Sequence, residues 1–206
     1  METKRALIWD LDGTLLDSYD AILAGLEETY DYFGIYFDRS AVKEYILRFS
    51  VNDLIREIAA KENLDAQVLS DFRAKSLREK NASINLMPGA HAILDWTQEK
   101  GISNFIYTHK GNNAFQILRD LQLEDYFTEV LTADSGFARK PNPEALLYLI
   151  KKYQLERTST YYVGDRLLDV ETAQQAGVGS INLVIQHIDG NHKINSLLDI
   201  KKLNLF

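Results

Sequence analysis

Residues 5–18 read RALIWDLDGTLLDS, and the reading of this stretch decides the fold. Ala6 to Trp9 form an apolar run without alternation, as expected of a strand covered on both faces of a sheet rather than on one. Asp10, Asp12 and Gly13 follow directly. In an open α/β sheet, ligands and reacting groups collect outside the carboxyl ends of the strands. A buried strand that delivers aspartates at its exit is therefore read as a central strand of such a sheet.

Working outward, four further apolar runs repeat the strand signal at 104–108 (NFIYT), 129–133 (EVLTA), 160–165 (TYYVGD) and 180–185 (SINLVI). Helical patterns lie between and beside them over 88–101, 112–123, 142–155 and 165–177, with Pro88 and Gly101 bracketing the first and Gly177 closing the last. This alternation predicts an α/β fold built on a doubly wound parallel sheet. Residues 18–82 break the rhythm, because they hold no strand-like run and their patterns are helical throughout. Ser18, Ser40 and Ser50 are candidate helix caps there, Asp53 completes a pair resembling a capping box with Ser50, and a last helix is expected over 65–80. The expected organisation is a core of 1–16 and 84–206 with a helical bundle of 17–83 inserted through linkers near 15–18 and 82–88. The tail 191–206 is expected to add a short closing helix and edge packing.

Composition narrows the function classes. A chain of 206 residues with 46% hydrophobic and 26% charged residues, 3 prolines and 11 glycines is that of a folded globular protein. A formal net charge of -7 and the lack of a basic run argue against a nucleic-acid partner. The longest apolar runs fall well short of a membrane helix, and METKRALIWD meets an acid too early for a signal peptide, so neither a membrane partner nor secretion is expected. There is no cysteine, which removes disulfides, thiolate metal sites and a cysteine nucleophile, and fits a cytoplasmic location. Oligomeric state is not legible.

The strand ends carry the chemistry. Thr108 follows the second run, Asp165 and Asp169 follow the fourth in GDRLLD, and Lys140 stands in RKPNPE ahead of it. Each has an ordinary structural explanation as a turn, a strand end, a proline-led helix start or an N-cap. Their joint occurrence in order at strand ends predicts a site. Three or four carboxylates at one sheet edge repel one another unless a cation neutralises them. Oxygen-only donors select a hard ion, and Mg²⁺ takes one or two carboxylates together with a substrate phosphate. Thr108, Lys140 and the N–H groups of the DLDGT turn, which Gly13 lets fold tightly, are then phosphate ligands.

With these residues in place, the sequence resembles the haloacid dehalogenase-like superfamily, and within it the group of phosphoglycolate phosphatase and β-phosphoglucomutase. DLDGT (10–14) matches the first motif, Thr108 the second, Lys140 in KPNPE the third and GDRLLD (164–169) the fourth. The resemblance covers essentially the whole chain and implies a Rossmann-like core with a four-helix cap. It further implies that Asp10 is a nucleophile forming an aspartyl-phosphate, and that Asp12 is the general acid and then the base. Mg²⁺ would be held by Asp10, the main-chain carbonyl of Asp12 and Asp165, with Asp169 supporting and Thr108 and Lys140 on the phosphoryl oxygens. The implied activity is Mg²⁺-dependent hydrolysis of a small phosphorylated metabolite.

Two departures from the group stand out. The chain reads THK at 108–110 where relatives often read Thr-Asn-Lys, so His109 is expected to offer a backbone N–H to phosphate, and the role of its side chain is left unassigned. The cap stretch RFSVND (48–53) lacks the glycine often found there, and Arg48, Asn52 and Arg56 are the candidates for substrate contact. The mutases of the group carry a histidine in the first cap helix; the matching position here is Ile22, which favours hydrolysis over a mutase. A non-enzymatic phospho-signalling module is the other alternative, but its acceptor aspartate would follow a middle strand and it would have no helical insertion.

Overall fold

The structure, a computed structural model, describes residues 4–80, 83–186 and 188–205. In chain order the strands are β1 (Ala6–Trp9), β2 (Leu16–Asp17), β3 (Asn85–Leu86), β4 (Ser103–Tyr107), β5 (Phe127–Leu131), β6 (Thr160–Gly164), β7 (Gly179–Asn182) and β8 (Asn191–Lys193). Six of them form one sheet in the order β5-β4-β1-β6-β7-β8, parallel at every pairing. β1 lies inside this sheet, with Trp9 opposite Ile106 on one side and Val163 on the other.

The apolar run behaves as its composition dictates. Ala6, Leu7, Ile8 and Trp9 are all fully buried. Side chains alternate across a strand, so Ala6 and Ile8 join one layer with α7 (Glu144–Tyr153) and α8 (Leu167–Ala176) through Leu146, Leu149 and Ala173. Trp9 takes the other face. Its indole N–H donates to Asn104 at 2.9 Å, and Asn104 donates in turn to Thr97 Oγ1 at 2.7 Å on α5 (Ala90–Glu99). This relay satisfies the polar atoms that a tryptophan and an asparagine bring into the interior.

Strand limits differ from the sequence reading where side chains intervene. The run at 180–185 ends as a strand at Asn182, because its Oδ1 accepts from the N–H groups of Val184 and Ile185 at 2.9 and 2.7 Å and turns the chain out of the sheet. β5 begins two residues ahead of the apolar run at 129–133. In the tail, the polar NHK of β8 forms an edge strand and Leu197–Lys202 a 3-10 helix capped by Ser196. The segments expected as linkers contain an antiparallel ribbon, with Leu16 paired to Leu86 and Asp17 to Asn85.

The chain divides into two compact units, Met1–Asp17 with Asn85–Phe206, and Ser18–Ile84. Among the described residues the second unit holds α1 (Tyr19–Tyr32), α2 (Arg39–Arg48), α3 (Val51–Glu62) and α4 (Ala66–Lys80). Its core gathers Leu23, Leu26, Ile46, Ile55, Ile58 and Leu69, with Tyr30 set edge-on to Phe37 at 5.0 Å. Ser50 caps α3 by accepting from Asp53 N–H at 3.1 Å. Two expected caps are corrected. Asp38, not Ser40, caps α2 by accepting from the N–H groups of Ser40 and Ala41, each at 3.0 Å, and Ser18 precedes α1 without a side-chain cap bond. No helix among the described residues is long and apolar enough to cross a membrane.

Candidate active site

β1 hands the chain to a tight turn. The N–H of Asp10 still donates to Val163 in β6 at 2.9 Å, after which the N–H groups of Thr14, Leu15 and Leu16 all turn back on the carbonyl of Leu11. Gly13, at φ 79, adopts the left-handed backbone this reversal needs. Leu11, Leu15 and Leu16 are fully buried and pin the turn, Asp10 is buried, and the Asp12 side chain retains 22% exposure.

Lys140 stands at the centre of the buried charges. Its ammonium donates to Asp10 Oδ1 at 2.9 Å and to Asp169 Oδ1 at 2.8 Å. It also lies 5.5 and 5.3 Å from the ring centres of Tyr107 and Tyr162. Its side chain has no exposure. Burial alone would lower the lysine, but the charges of Asp10 and Asp169 outweigh it and hold the ammonium above its ordinary pKa. For Asp10, burial dominates and pushes the carboxyl up, with Lys140 opposing and Asp169 adding to the rise.

Asp165 and Asp169 arrive from the end of β6 and the first turn of α8. Asp169 spends both oxygens, Oδ1 on Lys140 and Oδ2 on the N–H of Arg166 at 3.0 Å, closing the start of its own helix. Gly164 is required beside it, since a Cβ there would overlap the Asp169 carboxylate and its Cβ. Gly164→Ala is expected to destabilise the protein by about 1–3 kcal/mol, because the first turn of α8 must shift. Its urea midpoint would show this, and an unchanged midpoint would mean that the backbone yields without cost.

Asp10, Asp165 and Asp169 each offer a carboxylate oxygen within 4.8 Å of the others, all three buried. Three buried carboxylates against the ammonium of Lys140 and the nearby charge of Arg166 still leave excess negative charge, which favours a bound cation. The donor atoms are oxygens, with neither imidazole nor thiolate in the cluster, so the residues fit a hard ion such as Mg²⁺.

The loop after β4 supplies the other half. Thr108 is buried, its Oγ1 accepting from the N–H of Lys110 at 3.1 Å. His109 turns its ring towards the KPNPE loop, where Nε2 accepts from the Lys140 N–H at 2.9 Å, next to the cis peptide joining Lys140 to Pro141. Burial first, then the charges of Lys140, Arg139 and Arg166, hold this imidazole far below its ordinary pKa. Lys110, which the motif reading passes over, has only 3% of its side chain exposed and donates to Asp12 Oδ1 at 2.8 Å. Its sequence signal is its place two residues beyond the strand-end threonine, where the Thr-Asn-Lys of relatives also carries a lysine.

Arg48, Asn52 and Arg56 belong to the helical unit. Arg48 ends α2 with its guanidinium 5.2 Å from the ring centre of Phe49. Asn52 lies in the first turn of α3, exposed, and Arg56 approaches Asp53 at 3.9 Å, an exposed pair of small energetic value.

Comparison with known proteins adds an independent view. The sequence profile of the haloacid dehalogenase-like hydrolases matches residues 7–183. The chain is 27% identical to the pyrophosphatase PpaX of Oceanobacillus iheyensis over 84% of its length and 80% of that protein. It is 25% identical to a phosphoglycolate phosphatase of Vibrio parahaemolyticus, over 90% and 86% of the two chains. Among solved structures, a hydrolase from Streptococcus pneumoniae TIGR4 is 31% identical with 98% of each chain covered and a TM-score of 0.65.

Proposed function

Because this chain belongs to the haloacid dehalogenase-like hydrolases, we propose that it is a Mg²⁺-dependent phosphatase that cleaves a small phosphomonoester through an aspartyl-phosphate on Asp10. The observation that carries the reading is the buried cluster in which Lys140 joins Asp10 to Asp169 beside Asp165. Phosphatase-named relatives support the reaction class, and their differing substrates, a pyrophosphate and phosphoglycolate by name, leave the ester itself open.

In this reading a carboxylate oxygen of Asp10 attacks phosphorus as the phosphorus–ester oxygen bond breaks, and Asp12 gives its proton to the departing alkoxide. Water then attacks the aspartyl-phosphate, Asp12 takes the water's proton, and Asp10 is released with inorganic phosphate. Lys140, Thr108 and the backbone N–H of His109 hold the phosphoryl oxygens, and Lys140 offsets the charge that develops on them. Asp10, the main-chain carbonyl of Asp12 and Asp165 would hold Mg²⁺, with Asp169 supporting; when bound, the ion supplies charge that polarises the phosphoryl group. Lys110 fixes the carboxylate of Asp12. Ile22, where a mutase would carry its histidine, is packed in the core of the helical unit, so the acceptor in this reading is water. Arg48, Asn52 and Arg56, in a helical unit read as a cap over 17–83, are carried as residues that bias the choice of ester.

The test is phosphate release from a panel of phosphorylated sugars, nucleotides and small acids. Release is expected with Mg²⁺, loss of it in EDTA, and recovery on adding Mg²⁺ back. Turnover that survives chelation would overturn the metal assignment, and no release from any ester would overturn the phosphatase reading.

A further inference from the structure

We propose that the imidazole of His109 is a positioning residue for Lys140, acting through the Lys140 backbone amide rather than on phosphate. The inference rests on the reading of Lys140 as the cation of the phosphoryl site. Nε2 accepts the Lys140 N–H at 2.9 Å, so it must present a lone pair, and the ring proton must sit on Nδ1. Nδ1 is itself buried and has no partner among the described residues. A buried donor left unpaired is unfavourable, and an apolar ring of the same shape would avoid it. What the polar ring contributes in return is the acceptor at Nε2.

The position of that acceptor matters because of what Lys140 has to reach. Its ammonium meets two carboxylates on different elements, Asp10 at the end of β1 and Asp169 in α8, at 2.9 and 2.8 Å. A displacement of the ammonium by about 1 Å along either contact would take that contact beyond hydrogen-bond range. Pro141, the next residue, has no N–H, so the amide of Lys140 is the donor nearest the ammonium's own stem. The flanking loop is held separately, by Tyr107 donating to the Ala138 carbonyl and by Glu144 accepting from the Ala138 N–H, each at 2.9 Å. His109 thus ties the loop after β4 to the loop before α7 at the residue whose side chain enters the site. Burial and the surrounding cations Lys140, Arg139 and Arg166 disfavour a second proton on the ring, which would abolish the acceptor.

Two substitutions separate the acceptor from the ring. His109→Phe keeps a ring and removes the acceptor, while His109→Gln keeps an acceptor of similar reach without the ring. With p-nitrophenyl phosphate as probe, kcat is expected to fall about tenfold or more in His109→Phe and to stay within about threefold of wild type in His109→Gln, at similar melting temperatures. On the wild type, ¹⁵N NMR is expected to report the Nδ1-protonated tautomer and a Lys140 amide protected from exchange. An Nε2-protonated ring, an unprotected Lys140 amide, or equal kcat for the two variants would overturn the proposal. If His109→Phe does not fold, the tautomer and amide protection decide. If wild type releases no phosphate, the phosphatase reading fails, and the same NMR measurements still test the positioning.

Discussion

Asp10→Asn is expected to lower phosphate release by on the order of 10⁴-fold or more while leaving the protein folded. The amide keeps the size of the carboxyl but lacks the carboxylate oxygen that the proposed mechanism uses as nucleophile, so in that mechanism no aspartyl-phosphate forms. The fold should tolerate the exchange, because Lys140 retains Asp169 at 2.8 Å and the buried site loses a charge that burial disfavours. Steady-state turnover, trapping of phosphoenzyme from a labelled ester and a thermal melt together make the test. Substantial turnover in a folded variant would remove Asp10 from the role of nucleophile.

Lys140→Met should be costly to stability as well as to turnover. Removing the ammonium leaves Asp10 and Asp169 buried without the cation that joins them, and breaking a buried ion pair from one side costs about 3–5 kcal/mol. The pH dependence has a definite sign. Burial already raises the Asp10 pKa and Lys140 is the largest opposing influence, so in the variant the rise is larger, with Arg166 left to oppose it. A carboxyl whose folded pKa lies above its unfolded value favours the fold below the unfolded pKa and loses that contribution as pH climbs through the folded one. In metal-chelated buffer the stability deficit of Lys140→Met is therefore expected to be largest at neutral pH and to shrink towards the acid range. Urea titrations of both proteins across pH would show it, and a deficit independent of pH would mean that the loss comes from packing.

What the sequence made legible follows from which forces are local. A run such as ALIW carries its burial in its own composition, and the acids at its end mark the edge where strands open. The sheet order then sets β1 and β6 side by side, so Asp10 and Asp165 emerge as neighbours although a long stretch of chain separates them. Strand limits were less legible, because an event such as Asn182 capping its own turn depends on one side chain's geometry. Asp38 and Ser40 are both good cap residues by type. The extended backbone of Asp38, at φ -105 and ψ 103, and the two N–H groups its carboxylate accepts distinguish them. The ribbon of β2 and β3 and the edge strand β8 are too short to show a period. Lys110 with Asp12, and His109 with the Lys140 amide, are pairings across distant segments, and nothing local encodes them.

The threading of the sheet has a consequence for how the protein comes to be folded. β1 is bracketed by β4 and β6, so Ala6 finds its partners in Ser103 and Thr160, both beyond the whole of Ser18–Ile84. A ribosome making this chain releases β1 long before either neighbour exists. The helical unit can close on itself from contacts between nearby segments, while the sheet must wait for distant ones, and such topologies fold slowly. For that interval Ala6 to Trp9 is an unpaired, wholly apolar strand, the kind of segment that chaperones shield or that aggregates. The residues that make β1 a rigid platform for Asp10 are thus the ones most exposed to misassembly while the chain is being made.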